Sequence, residues 1–162
     1  MPHMRGNDDL LDRLSLLIRG LHILEIPVAT TQQYTRGLGS TVAEIRDLLD
    51  EAATFEKICF SCCDEPSFVD YLAGCGRKRV IIAGIESHVC VLQTAIDLNE
   101  GGNYTPVVVV DCVSSRRLSD KDASLDRMRG EGIRVTSSEA ILFELCRRAG
   151  SAQFKQISQL VR

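Results

Sequence analysis

Long apolar runs are missing from this chain. No segment approaches the roughly 20 residues that a helix needs to cross a bilayer, so no membrane contact is expected. A leader is missing as well. MPHMRGNDDLL carries acidic residues early and has no hydrophobic core, which fits neither a secretory nor a transit peptide. The final Leu-Val-Arg is not a peroxisomal address. Positive charge is not in excess: the net charge of −3 and a pI near 5.6 argue against a dedicated nucleic-acid surface. Histidine is scarce, with His3, His22 and His88 scattered along the chain. No second cysteine pair stands at zinc spacing from Cys59 and Cys62, so neither a metal nor another cofactor is expected. Internal repeats and low-complexity tracts are absent too.

What is present fits one soluble globular domain over residues 1–162. The length allows a buried core, and the hydrophobic share is 44%. The seven cysteines are an odd number without a secretion signal, which implies free thiols in a reducing compartment and a cytoplasmic location. Cys59-Phe-Ser-Cys62-Cys63 could be a redox pair, but structural thiols are the better reading without a thioredoxin-like context.

The most informative stretch is RVIIAGIESHVCVLQT, residues 79–94. Val80, Ile81 and Ile82 form an apolar run without alternation, which suits a strand covered on both faces. Gly84 is expected to break that strand. From about His88 the chain reads as a helix to Asn99, so Cys90 falls in a helix's first turn at the carboxyl end of a central strand. Ligands bind at that edge in open α/β sheets. Helix N–H groups there can lower a thiol pKa. Position alone slightly favours the other reading, a buried and inert cysteine.

Along the rest of the chain, Asn7 can cap a helix that carries Asp8 and Asp9 in its first turn and buries Leu10, Leu14, Leu17, Ile18 and Leu21 on one face. Strands are expected at 26–31, 55–60, 106–111 and 133–136, with helices at 43–52, 67–74, 118–129, 138–148 and 152–161. Residues 32–40 read as a loop at a strand's carboxyl end. Alternating strands and helices predict a parallel sheet with right-handed crossovers.

Several blocks carry a resemblance. GIESHVCVLQTA, together with IPVATTQQYTRGLG (26–39), EKICFS (56–61), VVVDCVSSR (108–116), TSSEAIL (136–142) and QFKQISQL (153–160), resembles the isochorismatase-like cysteine hydrolases, and above all the eukaryotic isochorismatase domain-containing proteins. The resemblance implies a three-layer α/β/α fold with a mainly parallel sheet of Rossmann-type order. It implies a hydrolase acting on a small amide or related carbonyl substrate, and a homo-oligomer. Cys90 takes the nucleophile's place, and Lys57 lies beside it to favour the thiolate by charge proximity. A cis peptide is implied at Ile85–Glu86, with the Glu86 and Cys90 amides as oxyanion donors. Ile85, Glu86, His88 and Tyr34 fall at the pocket. The Asp-x-His metal pattern of some relatives is absent.

The family's aspartate, which acts as base and acid, lies on a first strand with a D-x-Q-x-x-F-like segment. No such segment occurs here. Loss of a general base commonly costs about 10²- to 10⁴-fold. Without that strand, two neighbouring strands are expected to keep unpaired inner edges, at about 1–3 kcal/mol per unmet group. A shortened product explains this better than a sheet closed around the gap. The alternative to an enzyme is therefore a non-catalytic binding or scaffold protein, with dithiol redox chemistry a distant third.

Overall fold

The computed structural model describes residues 7–162, the side chains of Asn7 and Asp8 excepted. The cap expected at Asn7 thus lies outside the described residues. Helix α1 (Asn7–Ile23) packs the predicted stripe, Leu10 to Leu21, into a core shared with strand β4 (Thr105–Ser114) and helices α7 (Ser138–Cys146) and α8 (Ala152–Leu160). Burying each such side chain contributes about 1.5–3 kcal/mol. Gly20 is there for packing: a Cβ on it would stand 2.5 Å from both δ carbons of fully buried Leu142.

The strands form two parallel sheets. In one, β1 (Ala29–Gln33) pairs with β2 (Ala53–Lys57), placing Gln33 opposite Lys57. In the other, the order is β3 (Arg79–Ile85), β4, β5 (Arg134–Thr136). Helices cover both faces. Alternate β4 side chains point to opposite sides: Val107 and Val109 join the α1, α7 and α8 cluster, while Val108 and Val110, and Val113 beyond a shift in register, join a second cluster with α5 (Leu92–Glu100) and α6 (Leu118–Gly130). Among the described strands, no ladder joins β1 to β3. Each pairs on one edge only, and the sheet has not closed.

Several expectations need correction. The β3 run 80–83 is only half-buried, whereas 106–109 of β4 is fully covered. The same apolar pattern gives different burial because β3 has one strand neighbour and β4 has two. Gly84 does not end β3. It sits at φ 116°, where the register slips from Ile82↔Val108 to Gly84↔Val113, and the strand continues to Ile85. Glycine tolerates this dihedral, and such irregularities re-aim a strand end. Strand β1 starts three residues later than expected and runs through Gln33. Before it, a turn at 24–25 with Glu25 at φ 55° leads through Pro27, and Ile26 and Val28 pack partly buried against the core. The expected loop at 32–40 therefore contains the end of β1 and a short helix, α2 (Thr35–Leu38). The helix expected over 43–52 is reduced to α3 (Ala43–Arg46) and turns, and α7 stops at Cys146, before Arg147 at φ 66°. Helix α4 (Pro66–Gly74) starts with proline as expected and sets Phe68 edge-on to Phe55 of β2.

Candidate active site

The chain leaves β3 through a cis peptide at Ile85–Glu86, the bond the resemblance singles out. The expected single helix over 88–99 is two pieces, a π-helical turn (Ser87–Val91) holding Cys90 and then α5. Serines fix this turn from the far side. Ser87 Oγ lies 2.5 Å from Ser115 Oγ at the end of β4 and receives a hydrogen bond from Ser124 of α6 at 3.2 Å. His88 Nδ1 lies 2.9 Å from Ser115 Oγ. All three serines are buried.

On the near side, Cys90 faces the ends of β1 and β2. Its thiol donates to Gln33 Oε1 at 3.9 Å. Lys57 is 3% exposed, far from the solvated lysine that its type suggests. Its ammonium donates to Gln33 Oε1 (2.6 Å), Cys59 O (2.9 Å) and Phe60 O (2.8 Å). Three donors thus meet three neutral oxygens, and no carboxylate lies within 4 Å of the ammonium among the described residues. A 3-10 turn (Cys62–Asp64) closes this side. Its Cys62 N–H donates to Thr94 Oγ1 of α5 at 2.9 Å, and Cys62 Sγ lies 3.5 Å from Thr31 Oγ1. Thr31 and Gln33 share one face of β1, so both thiols stand over the same strand.

The electrostatics correct one expectation. Lys57 does favour the Cys90 thiolate, but burial acts more strongly the other way, helped by Cys62 and Glu86. The thiol is pushed up from its ordinary value, not down.

The remaining predicted residues divide. Glu86 is not turned to open solvent. Its carboxylate accepts from Arg116 Nε at 2.8 Å and from the Arg116 backbone N–H at 3.3 Å. His88 lines a separate cavity of about 330 Å³ with Arg116, Arg117 and Asp120. Ile85 is partly exposed at the strand end. Tyr34 directly follows Gln33, donates its N–H to Lys57 O at 3.0 Å and is half-exposed at φ 41°. The structure brings Lys57 to Cys90 and leaves the His88 and Glu86 cluster on the other side of the turn. Gln33 went unnoticed in the sequence. Its place at a strand's carboxyl end was the available signal.

Residues 1–140 match the isochorismatase domain. The chain is 40% identical over 151 residues to a secreted isochorismatase effector of Phytophthora sojae, covering 90% of this chain and 71% of that protein. It is 36% identical to isochorismatase domain-containing protein 1 of Salmo salar, covering 99% of this chain but only 56% of the relative's length. A solved structure described as a MAR1 ribonuclease from Caenorhabditis elegans superposes with a TM-score of 0.92 at 36% identity, over 99% of this chain and 82% of that one. On the domain match and these relatives, the chain belongs to the isochorismatase-like hydrolase family.

Proposed function

We propose that this single-domain chain acts on a small amide or related carbonyl substrate, with Cys90 as the nucleophile and Lys57 as its electrostatic partner. The observation that carries this is the buried Lys57 ammonium next to the Cys90 turn, bonded to three neutral oxygens and to no carboxylate among the described residues. Its charge remains available to an anion formed at the sulfur or at a substrate oxygen. The thiol gives its proton to solvent and the sulfur bonds the carbonyl carbon; the carbon–nitrogen or carbon–oxygen bond then breaks, the leaving amine or alcohol taking a proton from solvent, and water hydrolyses the thioester to the acid and the free Cys90 thiol. Tyr34 borders this region through its bond to Lys57 O, while Glu86 and His88 lie across the turn from it. An RNA substrate, which the name of the Caenorhabditis elegans protein suggests, fits poorly with a net charge of −3. Tyr34, Leu38, Ile58 and Phe60 are exposed apolar side chains around the ends of β1 and β2, and they support association with a second copy. We place the protein in the cytoplasm, on its free cysteines.

One observation favours a second reading, a non-catalytic small-molecule binder: no carboxylate bonds Cys90 or Lys57 among the described residues. Intact-mass spectrometry after incubation with a panel of small amides and esters tests the choice. An acyl adduct on Cys90, with turnover lost in Cys90→Ala, supports the nucleophile. Turnover that survives Cys90→Ala overturns it. Binding by calorimetry in both proteins, without any adduct or turnover, favours the binder.

A further inference from the structure

Three oxygens hold the Lys57 ammonium, and only one of them is on a side chain. The Cys59 and Phe60 carbonyls belong to the backbone leading into the 3-10 turn that Thr94 pins to α5. The third oxygen is Gln33 Oε1. The sense of that amide is fixed by its partners. Lys57 Nζ can only donate to it, and Ile58 O, which takes Gln33 Nε2 at 2.6 Å, can only accept. The amide oxygen therefore faces both the ammonium and the thiol. A thiol can donate to that oxygen. A thiolate cannot, and would meet it as one acceptor against another.

We propose that Gln33 is a positioning residue that competes with Cys90 for the third Lys57 N–H, drawing it to its own oxygen at 2.6 Å, and so keeps the sulfur protonated until the amide is displaced. The charged and titratable groups that act on the sulfur are Lys57 from β2, Cys62 from the 3-10 turn and Glu86 from the start of its own turn. Lys57 is the one cation among them, so the side chain that occupies its third donor controls the thiolate. When Gln33 swings away, the ammonium keeps its two backbone acceptors and turns its third N–H to the sulfur, whose own proton leaves to solvent. The proposal rests on the reading of Cys90 as the nucleophile, but its test does not require turnover.

The test is the pH profile of Cys90 alkylation by iodoacetamide between pH 6 and 10, resolved by peptide mass spectrometry. In that reaction the thiolate forms a sulfur–carbon bond and iodide leaves. Gln33→Leu is expected to lower the midpoint by about one pH unit, making alkylation at pH 7 about tenfold faster. Gln33→Glu is expected to raise it by a similar amount, because the carboxylate pairs with the ammonium and repels a thiolate. Lys57→Met should abolish the effect of Gln33→Leu. A purely structural role for Gln33 would change the plateau rate through access and leave the midpoint in place. A midpoint that stays put or rises in Gln33→Leu overturns the proposal. If Lys57→Met fails to melt cooperatively, the opposite signs of the two Gln33 variants decide alone. Midpoint shifts as expected, with no acyl adduct ever found on Cys90, would sink the nucleophile and leave the role of Gln33 standing.

Discussion

In the unaltered protein, alkylation of Cys90 should rise about tenfold per pH unit from pH 6 to at least pH 8.5, with no plateau below pH 9. Only the thiolate reacts. The thiol starts from an ordinary value of 9.0, burial moves it up, and Lys57 recovers part of that rise. At pH 7 the thiolate fraction is then below about 1%, which follows from two or more units between pH and pKa. A nucleophile in this state loses about 10²-fold at pH 7 unless a base or the substrate removes its proton, so turnover should also climb toward alkaline pH. Cys112 gives an internal reference. It is fully buried, its thiol is pushed up to about 12, and it should stay unmodified throughout. The assay is timed iodoacetamide labelling of the folded protein, digested and quantified per cysteine. A Cys90 profile that levels off below pH 8 would refute the reasoning, because it would mean that the field of Lys57 outweighs burial.

Cys112 also makes stability depend on pH. Its folded value lies above its unfolded one, so its contribution is complete below about pH 9 and is lost as pH rises toward 12, at about 1.4 kcal/mol per pH unit. Urea melts at pH 8 to 11 should show a shallower alkaline decline in Cys112→Ala than in the parent. Gly20→Ala gains at most about 1 kcal/mol of helix propensity but overpacks Leu142, at about 1–3 kcal/mol, so a net loss is expected; a higher melting temperature would reverse the sign. Leu142→Ala should cost about 2–5 kcal/mol in the same melts. Glu86→Gln removes the charge facing Arg116 Nε and one of the groups raising the Cys90 thiol, so its alkylation midpoint should fall; an unchanged midpoint would show that Glu86 acts on Arg116 alone.

The α/β class was legible because each element carries its own period. The α1 stripe from Leu10 to Leu21, the β4 run of valines and the proline start of α4 are local signals with local consequences. The errors come from context. Val80 to Ala83 and Val107 to Val110 read alike, and only pairing separates a strand with two neighbours from one with a single neighbour. Gly84 reads as a breaker because nothing in the sequence says that β4 can take up the slip in register. In the site, Cys90 and Lys57 stood out by type and by resemblance. Gln33 did not, because a glutamine matters only for what it bridges, and its two partners lie 24 and 57 residues away. The direction of the thiol shift stayed open between two readings for a related reason: burial decides it, and burial is a property of the folded chain.

The arrangement around Lys57 carries a constraint on mechanism. A buried charge is costly unless it is paired or fully hydrogen-bonded. Here the bonding is complete, with three N–H groups on three oxygens, yet every partner is a neutral dipole. The positive charge is solvated by the protein but not neutralised among the described residues. Such a cation stabilises the first anion that forms beside it, and two are available in the proposed reaction: the Cys90 thiolate and the oxyanion of the attacked carbonyl. The thiolate comes first, and burial opposes it before any substrate is present. The oxyanion forms only after attack, when charge has moved from sulfur to oxygen. A field that fails to ionise the resting thiol but remains unspent is better matched to that second anion than to the first. Lys57→Met should therefore reduce turnover by more than it reduces the alkylation rate of Cys90 at the same pH. Equal losses in both would confine the lysine to the sulfur.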